Sequence, residues 1–314
     1  DAGRSLVFNG HVDVVSPEST ELWAYPPFEP RIVENEQDGE TWIYGRGAAD
    51  MKGGSVCTLW VLAALQDIGV EPASRVVWQS PIEEECSGNG TLALLAEGYT
   101  ADACVIPEPF GETYMRGQAG VIWFQTRVLG KTAHVLGTEK GVNAIEKSWV
   151  IIQALRDLEV ERNLPDRIPE LYAGVEHPVN LNVGIIRGGD WASTVAGDCF
   201  TRFRMGVLPG ERVPDVLREI ETCVEVAAAA DPWLRDFPPR VEYIGFQAEG
   251  CSFDPESELG RDLMKAHKDW RGEAPEGALL KATTDARYFN LYYDTPATCY
   301  GPKSENIHRI DEKV

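Results

Sequence analysis

Apolar residues follow two rhythms along the first third of this chain. Short runs rich in β-branched and aromatic residues end abruptly in glycine, proline or acid: Leu6-Val7-Phe8-Asn9, Trp42-Ile43-Tyr44-Gly45, Arg75-Val76-Val77-Trp78-Gln79-Ser80 and Ala103-Cys104-Val105-Ile106. Such runs read as buried strands. Between them lie longer segments suited to helices, Ser55 to Leu65 and Thr91 to Glu97. Strands alternating with helices predict a largely parallel sheet. In such a sheet the strand ends share one side, where ligands bind. Arg31-Ile32-Val33 and Trp42-Ile43-Tyr44 also flank Asp38-Gly39, which is a hairpin signal.

The pattern changes near residue 116. Val121–Val128, Pro178–Ile186, Cys199–Val207 and Arg240–Phe246 read as strands, and Val142–Val160 and Val213–Ala230 as amphipathic helices. Strand, helix, strand, strand, helix, strand is a split βαβ layout, an antiparallel sheet with two helices on one face. The predicted architecture is therefore α/β, a parallel sheet flanked by helices (1–115 and 249–314) with an inserted, ferredoxin-like α+β domain (116–248). A helix from Glu258 to Trp270 resumes the first domain. No internal repeat is visible.

Composition narrows the function. A length of 314 residues suits two domains, and 43% hydrophobic residues suffice for their cores. Fifty acids against 29 bases give a net charge of -21, which argues against nucleic acid as a partner. The seven cysteines include no Cys-x-x-Cys pair and read as reduced thiols of a cytoplasmic protein. No run approaches the roughly 18 apolar residues of a membrane span. Asp1 opens without a signal-peptide pattern. A strand begins at Ser5 with no helix before it, and Asp311-Glu312-Lys313-Val314 carries no stop signal, so a chain trimmed at both ends is expected.

Chemistry-bearing residues gather at the predicted strand ends. His11 and Asp13 follow the first strand, two apart, and on an extended backbone they share a face. A metal-binding imidazole commonly gives its second ring N–H to a carboxylate; a capped loop with an exposed histidine is the plainer alternative. Asp50 sits among Gly47, Gly53 and Gly54 at a helix entrance, either as an N-cap or as a carboxylate bridging two cations. Glu83, Glu84 and Glu85 repel one another unless something cationic lies near, though a solvated acidic loop reads the same way. Pro107 and Pro109 hold Glu108 in an extended frame. His11, Asp50, Glu84, Glu85 and Glu108 are expected to converge.

Gly10-His11-Val12-Asp13, Gly45-Arg46-Gly47 through Asp50-Met51-Lys52-Gly53-Gly54, Glu84-Glu85, Glu108-Pro109 and Asn306-Ile307-His308 occur in one order. That order resembles the dinuclear zinc amidohydrolases typified by acetylornithine deacetylase, succinyl-diaminopimelate desuccinylase, aminoacylase and glutamate carboxypeptidase. The resemblance covers nearly the whole chain and implies a zinc-exopeptidase-like fold with an inserted lid and dimerisation domain. It implies two divalent ions, Zn with Co or Mn as alternatives, bound by His11 and Glu108 on one side and by Glu85 and His308 on the other. Asp50 would bridge them and Asp13 would orient His11. In the family the peptide after the bridging aspartate is often cis, which implies a strained Asp50-Met51 peptide here. The resemblance gives Glu84 the role of general base toward the water between the metals; Glu84 cannot ligate if Glu85 does, since neighbours on a strand point apart.

His134, in Thr132-Ala133-His134, matches a histidine that relatives supply from a second subunit to the oxyanion, which implies a homodimer. Arg204, in Thr201-Arg202-Phe203-Arg204, matches an arginine that pairs with a substrate carboxylate; Arg202 is the alternative, on the same face. Gly301 falls with the substrate-binding residues. One departure concerns Gly188-Gly189-Asp190-Trp191-Ala192-Ser193-Thr194-Val195-Ala196. Many relatives carry Asn where Ser193 stands and Pro where Ala196 stands, and serine makes fewer hydrogen bonds. Trp191 beside it is available to an apolar acyl group. The expected function is hydrolysis of an N-acyl amino acid or related small amide. A dipeptidase or carboxypeptidase on the same site is the alternative, and a non-catalytic amide-binding protein a third.

Overall fold

The computed structural model describes residues 3–34 and 39–314. Asp1, and Asp38 of the expected Asp38-Gly39 turn, lie outside the described residues. The chain divides into two compact units: Asp1–Gly117 with Ser252–Leu279 and Thr284–Val314, and Gln118–Cys251 with Leu280–Thr283.

The first unit is built on a four-stranded parallel sheet, in the order Ala297–Cys299, Ala103–Ile106, Leu6–Asn9, Val76–Gln79. Val7 lies opposite both Val77 and Cys104, and Val7 and Cys104 are fully buried. Helices Gly54–Asp67, Asn89–Ala96, Glu258–Arg271 and Ala286–Tyr292 accompany it. Thr41–Tyr44 is not a member of this sheet, contrary to expectation. It pairs antiparallel with Arg31–Glu34, as the hairpin pattern between them indicated, and on its other side Ile43 exchanges main-chain hydrogen bonds with Val314, at 2.9 and 3.1 Å. The fourth parallel strand is Ala297–Cys299, a segment the apolar pattern did not single out. Helix Gly54–Asp67 is apolar all round, yet only Gly54, Ser55 and Thr58 are buried.

The second unit holds an antiparallel sheet in the order Arg240–Ala248, Gly120–Leu129, Asp198–Val207, Leu181–Gly188, which is the ferredoxin-like arrangement. Helices Ala144–Arg162 and Val213–Ala230 pack against it and against each other. The second helix buries Val216, Ile220, Val224 and Ala228, one residue per turn. The first starts after Asn143, whose side chain accepts from the Ile145 N–H at 3.0 Å, so the helix begins two residues later than its apolar pattern suggested. Phe124 and Phe203 stack across the sheet with centroids 4.9 Å apart. Leu280–Thr283 belongs to this unit: the Leu280 carbonyl accepts from Tyr172 Oη and from the Ala119 N–H, both at 2.9 Å.

Asp231 joins the two helices of this unit to a short third one, Pro232–Asp236. Its carboxylate accepts from the Trp233 and Leu234 N–H groups and from Lys147 Nζ at 2.6 Å. Burial opposes its charge, but these donors prevail and hold the carboxyl below its ordinary 3.8. A lowered folded-state value stabilises above the unfolded value and is lost as pH falls through the folded one. Asp231→Asn should therefore cost about 1 kcal/mol at neutral pH. In urea titrations the gap from wild type should close steadily below pH 3.8; a gap independent of pH would contradict this.

Candidate metal centre

The parallel strands deliver the first groups. Beyond Asn9 the backbone stays paired with its neighbour, Gly10 N–H to Gln79 O at 3.1 Å and Val12 N–H to Pro81 O at 3.0 Å. His11 is thereby held buried at the strand end. Its Nδ1 faces the Asp13 carbonyl oxygen at 3.0 Å and Asp13 Oδ1 at 3.5 Å, so the main chain of Asp13 contributes as much as its carboxylate. Asp13 Oδ2 accepts from the Glu85 N–H at 3.2 Å and ties the two loops together.

Asp50 lies at the centre. Its Oδ1 is 3.0 Å from His11 Nε2 and its Oδ2 is 3.0 Å from His308 Nε2. Glu85 Oε2 is 3.2 Å from His308 Nε2, Glu108 Oε1 is 3.8 Å from His11 Nε2, and Glu84 Oε2 is 4.0 Å from it. The Asp50–Met51 peptide is cis. His308 has φ 60°, a left-handed conformation uncommon outside glycine, at a turn where the Arg309 N–H donates to Asn306 O at 2.8 Å. The glutamates do not sit on a strand, so alternation does not separate them as expected. A turn at Glu83–Gly88 instead directs Glu83 away and both Glu84 and Glu85 toward the cluster: the Ser87 and Gly88 N–H groups donate to Glu83 O, and Glu83 is exposed and accepts from Ser87 Oγ.

The electrostatics follow from burial. Burial pushes the Glu84 and Glu108 carboxyls well up, helped by Asp285 and Asp50 respectively. Burial opposes the charge of His11, but Asp13, Asp50, Glu108 and Glu84 raise it to about 12. Bonds to Asp50 and Glu85 raise His308 to about 10. Asp50 is pulled down against its own burial by both imidazoles. Glu85 Oε1 and Asp13 Oδ1 are buried with no hydrogen-bond partner. His11, Asp50 and Glu85 each offer a ligand atom, all within 4.8 Å of one another. Imidazole nitrogen and carboxylate oxygen are the donors zinc takes, and the buried Glu85 Oε1 is left without a hydrogen-bond partner among them. The residues fit divalent metal.

Gly301 packs where an added Cβ would lie 2.2 Å from Glu108 O, so its identity answers to backbone packing beside Glu108. His134, Ser193 and Arg204 are in the second unit. His134 is exposed, its Nδ1 accepts from the Leu136 N–H at 3.1 Å, and its segment pairs with that of Ser193: Val135 N–H to Ser193 O at 3.1 Å, Val195 N–H to Ala133 O at 2.9 Å. Arg204 donates to Lys281 O at 2.8 Å and, with Arg202, Trp123 and Asn182, lines a cavity of about 280 Å³.

Sequence reasoning missed the residues that hold the glutamate turn. Arg287 Nη2 and Tyr288 Oη both donate to Ser87 O, at 2.9 and 3.0 Å. Asp285, 1% exposed, accepts from Thr91 Oγ1 at 2.6 Å. Nothing in the sequence singles out Asp285 and Arg287, buried 3.9 Å apart, because composition does not distinguish a buried ion pair from a solvated one.

A parallel α/β sheet with a buried carboxylate–imidazole cluster at its strand ends, interrupted by a ferredoxin-like insert, defines a class of metal-dependent hydrolases. The chain belongs to one family within it: the profile of peptidase family M20/M25/M40 matches residues 7–314. It is 29% identical over 330 residues to the N-formyl-4-amino-5-aminomethyl-2-methylpyrimidine deformylase of Halalkalibacterium halodurans, covering 99% of this chain and 75% of that protein. It is 28% identical over 335 residues to the succinyl-diaminopimelate desuccinylase of Bradyrhizobium sp., covering 99% of this chain and 78% of that protein. A di-peptidase structure from Saccharomyces cerevisiae superposes with a TM-score of 0.77 at 18% identity, over 100% of this chain and 76% of that one. The chain is thus an enzyme, a hydrolase of amide bonds.

The cluster depends on close backbone contact behind it. A Cβ on Gly54 would fall 1.8 Å from Pro107 O, next to Glu108. Gly54→Ala should cost about 1–3 kcal/mol in chemical denaturation through this overpacking. An unchanged midpoint would contradict the packing described.

Proposed function

We propose that the chain hydrolyses a small N-acyl amino acid or a closely related amide, using two divalent ions held by His11, Asp50, Glu85, Glu108 and His308. The observation that carries this is Asp50, with one carboxylate oxygen turned to each imidazole. A carboxylate so placed suits a bridge between two cations. Metal bound there would supply Lewis acidity, polarising the amide carbonyl and making water a better nucleophile. Zinc is the preferred ion on donor chemistry, with cobalt or manganese as alternatives.

The chain's own residues have distinct roles. Glu84, buried beside the cluster, takes the proton of the attacking water and returns it to the departing nitrogen as the C–N bond breaks. Asp13 fixes the His11 ring through Nδ1. Gly301 lets the backbone lie close to Glu108. Among second-unit residues, His134 is assigned to the carbonyl oxygen as charge develops, Arg204 to a substrate carboxylate, and Ser193 to a lesser hydrogen bond. A homodimer supplying His134 from a second subunit, through an insert spanning about residues 116 to 248, belongs to the same proposal. So does a cytoplasmic setting, which the seven free cysteines suit. Among the described residues no helix is long and apolar enough to cross a membrane. A dipeptide presents the same amide and carboxylate, so exopeptidase action on the same site is the second reading.

A panel of N-formyl, N-acetyl and N-succinyl amino acids and dipeptides separates the two readings. Chelator-treated enzyme should lose activity and regain it with Zn, Co or Mn. Glu84→Gln should lower kcat by roughly 10²–10⁴-fold with KM changed only slightly. Full turnover by metal-free enzyme, or by Glu84→Gln, would contradict the proposal.

A further inference from the structure

Arg46 and Glu312 form an ion pair inside the first unit, with side chains 1% and 0% exposed. Neither belongs to the cluster. A buried pair of this kind is a poor source of stability, because desolvation offsets most of the attraction, and apolar residues of similar size commonly do as well. Its placement suggests another use. Glu312 Oε2 takes the Arg46 Nη1 donor, which leaves Oε1 for two main-chain donors: the Ala49 N–H at 3.0 Å and the Asp50 N–H at 3.1 Å. The peptide that carries Asp50 therefore hangs on one carboxylate oxygen. No apolar replacement reproduces those two bonds.

Arg46 extends the same support. Its Nη2 points at Ser16 O at 3.4 Å and at Arg309 O at 3.3 Å, and its guanidinium lies 5.1 Å from the Trp23 ring centre. Arg309 directly follows His308. One planar cation thus links the loop after His11, the turn of Asp50 and the turn of His308, which a lysine's single ammonium cannot do in the same geometry. Main-chain bonds close the arrangement: the Gly45 N–H donates to Glu312 O at 3.0 Å, and the Arg46 N–H to Pro27 O at 2.8 Å.

We propose that Arg46 and Glu312 are positioning residues, fixing Asp50 between His11 and His308 so that the paired metal site is formed before metal arrives. This rests on the metal reading of the cluster. Cobalt(II) is the probe, followed by its visible absorption and by calorimetric titration of the full chain, with circular dichroism and thermal melting as the measure of folding. Glu312→Gln keeps size but loses the ion pair. It should stay folded yet bind cobalt at least tenfold more weakly, with an altered absorption band and kcat reduced more than KM is raised. Arg46→Lys keeps the charge, is the milder variant should Glu312→Gln fail to fold, and should show the same changes at about threefold. A folded variant with wild-type cobalt affinity and spectrum overturns the positioning role and leaves the metal reading intact. Wild-type chain that binds no cobalt overturns both.

Discussion

The structure depends on one carboxylate shared between two imidazoles. Asp50 is nearly buried, His11 wholly so, and Glu84, Glu85, Glu108 and Asp13 crowd round them. Two like charges 4 Å apart repel by about 4 kcal/mol even at an effective dielectric constant of 20. Screening by water is reduced where His11, Glu84 and Glu108 are buried. Such a cluster persists only if the surrounding chain holds it together and positive charge or protons offset it; the raised His11, His308, Glu84 and Glu108 groups show protons in that role, which metal ions would take over.

The scaffold consists of backbone contacts that permit no slack. Gly54 lies against Pro107, Gly301 against Glu108, and Ser87 under Arg287 and Tyr288. Each fixes a loop whose side chain enters the cluster, and each uses segments far apart in the chain. Loops at the ends of parallel strands suit this task, because the sheet sets their roots and leaves their tips free to carry chemistry. The second unit has a different economy. Its sheet and helices form an ordinary apolar core around Phe124, Phe203, Ile151 and Ile220, and its polar residues of interest lie at an edge and in a shallow cavity.

Most elements were legible because burial leaves a period in the sequence. Val216, Ile220, Val224 and Ala228 mark a helix face as clearly in the sequence as in the fold. The grouping of His11, Asp50, Glu84, Glu85, Glu108 and His308 was also legible, from motifs that share an order rather than from any one of them. Pairing was less accessible. Thr41–Tyr44 carries a local hairpin signal, yet its apolar run suits a parallel strand as well, and the three residues of Ala297–Cys299 are too few to leave a pattern that marks them for the parallel sheet. The Glu83–Gly88 turn was hidden because acidic residues after a strand suit an extended end as well as a bend. Arg46, Glu312, Asp285 and Arg287 were hidden for another reason. Charged residues are mostly exposed, so a buried pair is invisible until its partner, distant in sequence, is brought beside it.

The most direct measurement is an anomalous-scattering map at the zinc edge, from crystals of the chain grown with zinc. Two peaks flanking the Asp50 carboxylate, one toward His11 and Glu108 and the other toward His308 and Glu85, are the predicted result. A map with no peak at Asp50, or with zinc bound only at surface carboxylates, would contradict the central claim.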